Sequence, residues 1–169
     1  VGGALVDDVQ PGEVVVLRDG HLERHVLHKG SPRAHCVFEY IYFARADSTI
    51  DGRLVYDVRE RIGRRLAHEH LVEADIVSPI PDSGIAFALG YSKESRIEYK
   101  EGLMKNRYIG RTFIMPAQNS RELAVRLKMN AIAKNIKGQR VVLVDDSIVR
   151  GTTSRRIVDM VRAFGAKSV

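Results

Sequence analysis

The stretch that most narrows what this chain can fold into is VVLVDDSIVRGTTS, residues 141–154. Four consecutive apolar residues with no polar alternation belong in a strand buried on both faces, as in a parallel sheet covered by helices. The strand ends in two acids, Asp145 and Asp146, and so delivers them to its C-terminal edge, where open α/β sheets bind ligands. Ser147, Ile148, Val149, Arg150 and Gly151 then make a short loop, and a helix opens near Thr152. Backbone N–H groups at that helix start, with the hydroxyls of Ser147, Thr152 and Thr153, form an anion cradle. Gly151 lets the backbone come close to the anion.

Two adjacent carboxylates repel a phosphate, so they need another target. Sugar hydroxyls and Mg²⁺ both suit them, since magnesium takes oxygen ligands. An ordinary strand, turn and helix with an acid at the strand end and Thr as N-cap explains one Asp and one Thr. It does not explain an acid pair, several hydroxyl residues and a glycine so close together. The Gly-x4-Gly-Lys-Ser/Thr and Gly-x-Gly-x-x-Gly patterns are both absent, which excludes the two common nucleotide loops.

Elsewhere, residues 13–17 and 21–27 are apolar-rich runs separated by Arg18-Asp19-Gly20, a hairpin signal. Residues 28–35 form a loop, and 37–44 (VFEYIYFA), aromatic and β-branched, read as a strand. Val55, Val58, Ile62 and Leu66 recur at helical spacing, so 54–70 is an amphipathic helix. Residues 74–80 read as a buried strand, 84–92 as a helix and 96–99 as a strand. Residues 102–115, without a clean period, read as a mobile loop; 121–133 as helix; 140–144 as strand; 152–164 as helix; and 167–169 as the start of a further strand. Strands alternating with helices imply an α/β fold, a parallel sheet flanked by helices, preceded by a small β segment. The expected domain boundary lies near residues 47–52, giving 1–47 and 48–169. Both ends, Val1 included, read as interior positions of a longer chain.

Charge is divided unevenly. Residues 1–99 hold 12 Lys and Arg against 16 Asp and Glu, whereas 100–169 hold 15 against 5. A basic C-terminal part points to a polyanionic partner. Aromatic residues do not interleave with the basic ones, and no zinc finger or RNA-binding signature occurs, so no nucleic acid is expected. No apolar run is long enough to cross a bilayer and no secretory leader is recognisable, so no membrane is expected. The single cysteine, Cys36, excludes an internal disulfide and favours a reducing, cytoplasmic setting.

The acid-pair loop resembles the phosphoribosyl-diphosphate (PRPP) loop of the type I phosphoribosyltransferases. Two further segments support it. Residues 77–84 (VSPIPDSG) again run from strand to helix start, with Asp82 and Ser83 at the junction. Residues 105–114 (KNRYIGRTFI) place Lys105, Arg107 and Tyr108 on a cationic loop suited to folding over a polyanion. Each alone reads equally as a capped turn or an exposed basic loop. With CVFEYIYFARADS at 36–48, the strings resemble the amidophosphoribosyltransferase family of purine synthesis, from Cys36 to Val169. Ala46 departs from the proline common there.

The resemblance implies a type I phosphoribosyltransferase fold, preceded by the last strands of a glutaminase domain at residues 1–27. It implies Asp145 and Asp146 on the ribose, with Ser83 beside them at Mg²⁺; Ser147, Ile148, Val149, Arg150, Gly151, Thr152 and Thr153 on the 5′-phosphate; Asp82 and Ser83 facing the diphosphate; and Lys105, Arg107 and Tyr108 on a closing loop. Implied partners are PRPP and ammonia or glutamine, in a homo-oligomer. Cys36 reads either as a small buried hydrophobe or as the position where some members place one ligand of a [4Fe–4S] cluster. Two other functions fit the same fold: a non-catalytic PRPP-binding regulatory module, which needs neither a glutaminase remnant nor a cationic loop, and a salvage transferase, which needs a base-binding hood that is not found.

Overall fold

The computed structural model describes residues 2–4, 6–28, 30, 32, 34–106, 129–149 and 151–169. Contacts divide the chain into two compact units, Val1–Cys36 and Val37–Val169.

The first unit contains one antiparallel hairpin, β1 (Glu13–Arg18) and β2 (His21–Val26), in register from Glu13↔Val26 to Arg18↔His21. Its two-residue turn has positive φ at both Asp19 (49°) and Gly20 (80°). That is the backbone an Asp-Gly hairpin turn adopts to match strand twist.

The second unit opens with a short π-helical turn at Glu39–Phe43, where residues 37–44 were expected to be a strand. Main-chain carbonyls explain the difference. Those of Tyr40 and Ala44 accept from the Arg59 guanidinium, at 2.7 and 2.8 Å, and the Glu39 carbonyl accepts from Ala44 N–H at 3.0 Å. Carbonyls held this way are not offered to a neighbouring strand, whatever the β propensity of the side chains. The contact boundary therefore falls after Cys36, upstream of the change of character at 47–52.

After a two-strand ribbon, β3 (Thr49–Ile50) and β4 (Arg53–Leu54), helix α1 spans Val55–Glu69. Its buried residues are Val55, Arg59, Gly63 and Ala67, whereas Leu66 is exposed. The helix is thus where its period predicts it, but turned from the expected stripe.

Strand β5 (Ile76–Pro79) is buried throughout and lies at the centre of a three-stranded parallel sheet, between β6 (Glu98–Tyr99) and β9 (Val141–Val144). Successive side chains point to opposite faces, and the core follows suit. Ile76 and Val141 pack with Leu103, Ile136, Ile157 and Val161; Val77 and Val144 pack with Ala67, Phe87, Ala88 and Tyr91. Helix α2 (Ile85–Ser95) covers the second face with α1. Those two helices approach very closely, since a Cβ on Gly63 would stand 2.0 Å from the Phe87 carbonyl oxygen.

The other face carries α3 (Ala133–Ile136), α4 (Thr152–Ala163) and an antiparallel pair, β7 (Leu103–Lys105) with β8 (Met129–Ala131). Two expectations are corrected here. Residues 103–105, read as loop, are a strand, and residues 129–131, read as the end of a helix, are its partner. Pairing across so long a separation has no local signal, and it overrides the propensity of Met-Asn-Ala for helix. The rest of those two readings, residues 107–128, lies outside the described residues. Ser168 bridges in parallel to Arg140, in keeping with the strand start expected at 167–169.

Candidate functional site

Strands β5 and β9 run side by side in register to Pro79↔Val144, so the segments leaving their C-terminal ends meet. Ile80 N–H donates to the Val144 carbonyl at 2.8 Å, and Gly84 N–H to the Ile80 carbonyl at 2.9 Å. A Cβ on Gly84 would lie 2.3 Å from the Val144 carbonyl oxygen, so only glycine lets the start of α2 sit against the end of β9. The result brings Ser83 to Asp145, hydroxyl donating to Oδ1 at 3.3 Å. Asp145 Oδ1 also accepts from Asp146 N–H at 2.9 Å, and Ser147 donates to Asp146 Oδ1 at 2.7 Å.

Beyond the acids, Gly151 has φ of 68° and stands as N-cap of α4, where no side chain caps the helix. The first N–H groups of a helix have no partner within it. Thr152 and Thr153, the first residues of α4, line a cavity of about 790 Å³. Ser83, Asp145, Asp146, Ser147, Val149 and Gly151 line the same cavity, as do Ile80 and Met129.

Burial pushes the Asp145 carboxyl above the ordinary carboxylate range; the Asp146 amide holds it down, the Asp146 charge raises it further and the Ser83 hydroxyl lowers it. A half-buried acid beside another acid calls for a cation or for hydroxyl donors. The donors present are hard oxygens, which suits Mg²⁺. Among the described residues no group of three or more His, Cys, Asp or Glu side chains converges as a metal site. Two carboxylates and a hydroxyl leave most of an ion's shell to water and a phosphate ligand, which is how Mg²⁺ is commonly held. An iron–sulfur cluster does not fit this chain's own residues. A cluster takes four thiolates, and the sequence has one cysteine, Cys36, which is exposed rather than the buried hydrophobe of the alternative reading.

Of the other expected residues, Ile148 is 76% exposed at the loop tip. Asp82 is ion-paired with Lys105, Oδ2 to Nζ 2.9 Å, both half-exposed. The Pro81–Asp82 peptide is cis. Arg107, Tyr108 and Arg150 lie outside the described residues. The sequence reading missed the aromatic lining from Phe38, Tyr42 and Phe43, because it placed them on a strand. It also missed Arg59; the available signal was an arginine four residues after Val55 and four before Gly63, on the buried stripe of α1.

A parallel sheet covered on both faces, with an acid pair and an uncapped helix at its carboxyl edge, defines the class. The chain belongs to the phosphoribosyl transferase domain family, whose model matches residues 56–169. Within it, the chain is similar over nearly its whole length to amidophosphoribosyltransferases. It is 59% identical to that of Methanocaldococcus jannaschii over 98% of the chain and 38% of the relative. With that of Bacillus subtilis it shares 49% over 100% of the chain and 36% of the relative. Among solved structures it matches the allosteric regulatory enzyme of purine biosynthesis with a TM-score of 0.84 and 49% identity, covering 96% of this chain and 35% of that one. It matches the B. subtilis glutamine PRPP amidotransferase complexed with ADP and GMP with a TM-score of 0.82 and 50% identity, covering 94% and 35%. The chain thus spans little more than a third of its curated relatives.

Proposed function

We propose that this chain carries the PRPP-binding part of an amidophosphoribosyltransferase, which transfers glutamine-derived ammonia to C1 of PRPP and yields 5-phosphoribosylamine and diphosphate. One observation carries the reading: Ser83, Asp145 and Asp146 meet at two adjacent strand ends, beside the uncapped start of α4. In this reading residues 1–47 are the closing strands of a glutaminase domain with a connector, and 48–169 are the transferase domain. The setting is cytoplasmic, consistent with the absence, among the described residues, of a helix long and apolar enough to cross a membrane. The assembly is a homo-oligomer.

The residues divide the work by charge. The amides and hydroxyls from Ser147 to Thr153 hold the 5′-phosphate, as uncapped helix starts hold anions. Asp145 and Asp146 accept from the ribose hydroxyls and, with Ser83, would hold Mg²⁺. Asp82 and Ser83 face the diphosphate; Lys105, at the end of β7, and Arg107 oppose its charge, with the Tyr108 hydroxyl as a further donor. The ammonia lone pair forms the new bond to C1 as the C1–O bond breaks, and the electron pair leaves with diphosphate. Mg²⁺, when bound, supplies positive charge against that leaving group. The amine loses its extra proton to solvent, so no general base is assigned.

Changing Asp145 and Asp146 to Asn in the full-length protein is expected to abolish calorimetric binding of Mg-PRPP. Unchanged binding would overturn the assignment of the loop. Ammonia-dependent diphosphate release by the unaltered protein separates the enzyme from a PRPP-binding regulator, which would bind without release.

A further inference from the structure

Phe38, Tyr42 and Phe43 line the cavity that contains Asp145 and Asp146. All three belong to the turn at Glu39–Phe43 or flank it, and no residue of that turn is itself buried. Ile41, partly buried, packs against the core, and polar contacts supply the rest of the anchoring. Arg59 donates from Nε to the Tyr40 carbonyl at 2.7 Å and from Nη2 to the Ala44 carbonyl at 2.8 Å. The Tyr40 hydroxyl donates to the Ile50 carbonyl at 3.1 Å.

Arg59 stands on the buried stripe of α1 between Val55 and Gly63 and is only 7% exposed. A guanidinium is an expensive group to bury, and burial depresses its pKa, opposed by the attraction of the Asp146 carboxylate. One buried cation thus grips the aromatic turn. Alanine or leucine at this position would pack against α1's neighbours more cheaply and would not grip it.

We propose that Arg59 is a positioning residue: its guanidinium fixes the aromatic turn, so that this border of the cavity is set before substrate arrives. The inference rests on the cavity being the PRPP site. Arg59 is hydrogen-bonded to the turn, whereas the groups assigned to PRPP and Mg²⁺, Ser83, Asp145, Asp146 and Ser147, are hydrogen-bonded among themselves. Its removal therefore leaves those groups in place and misplaces the aromatic border of the cavity, a loss expected on kcat rather than on KM.

The test is a kinetic split in the full-length protein, with ammonia-dependent diphosphate release from Mg-PRPP as the assay. Arg59→Met is expected to lower kcat on the order of 10-fold to 100-fold with KM for PRPP nearly unchanged. Arg59→Lys, which keeps the charge and reaches one carbonyl, recovers part of the loss. Tyr40→Phe removes a second polar anchor of the turn without a buried charge, and lowers kcat in the same direction by less. A folded Arg59→Met protein with the original kcat, or one altered only in KM, overturns the proposal. So does a loss that merely follows the folded fraction while Tyr40→Phe keeps full kcat. If the unaltered protein neither binds Mg-PRPP nor releases diphosphate, the reading of the cavity fails and this inference fails with it. Release by the unaltered protein, with Arg59→Met equally active, fails the inference alone.

Discussion

Asp145 is charged where charge is costly. Its carboxyl is pushed upward mainly by burial, so its folded pKa lies above its unfolded one. The sign follows directly: the folded state holds the proton more readily, and stability falls as pH rises through that raised range. At neutral pH the ligand-free protein therefore carries a destabilising anion that substrate or metal would relieve. Asp145→Asn keeps an acceptor for the Ser83 hydroxyl and removes the charge. Its melting temperature is expected to equal or exceed that of the original protein, while the rise on adding Mg-PRPP disappears; a lower melting temperature would contradict this. Function at this residue is held against stability, a common trade. The acid pair was legible in the sequence because two adjacent carboxylates at a strand end have no packing role. Arg59 was not, because α1 carries four arginines and an arginine on a helix normally faces water; only its place on the buried stripe marks it as different.

Among the elements, α1 and α2 show what local patterning reveals and what it hides. Period and length were enough to find both helices. The inward face was found only in part: of the expected stripe, Val55 is buried and Ile62 packs against the core, whereas Leu66 is exposed and Arg59, Gly63 and Ala67 are buried instead. The reason lies in the partner. A Cβ on Gly63 would lie 2.0 Å from the Phe87 carbonyl oxygen, and one on Gly90 would lie 1.9 Å from that of Glu60. Backbone meets backbone at these two points, which sets how each helix is turned about its axis. Gly63→Ala gains helix propensity, worth about 1 kcal/mol, yet it is expected to destabilise by about 1–3 kcal/mol net because the helices must part. A lower urea midpoint at unchanged slope would register this; a higher midpoint would mean that the contact yields. The strand expected at 37–44 failed for a related reason, its carbonyls being taken by a residue from another element.

At the scale of the whole molecule, the end of the sheet opposite the site is closed by charge. Arg140 donates to Asp75 from its backbone N–H (2.7 Å), Nε (3.1 Å) and Nη2 (2.7 Å), and it also pairs with Glu73. This ties the entry of β5 to that of β9. The Arg140 guanidinium hydrogen-bonded to Asp75 lowers that carboxyl from 3.8 to about 2. A depressed folded pKa contributes stability that is present above the unfolded value and is lost as pH falls through the folded one. Urea midpoints of the original protein should therefore decline between about pH 4 and pH 2 more steeply than those of Asp75→Asn. Parallel slopes for the two would remove Asp75 from the account.

By itself the sequence determined the parallel α/β architecture, the order of its main strands and helices along the chain, and the position of the acid pair before a helix start. These follow from short-range physics: apolar runs, helical period, turn residues and charge that packing cannot explain. Tertiary structure alone decided the helical turn at Glu39–Phe43, the β7–β8 pairing, the buried stripe of α1 and the meeting of Ser83 with Asp145. Each depends on a partner far away in the chain, and a hydrogen bond or close contact made across such a distance leaves no periodic trace in either segment.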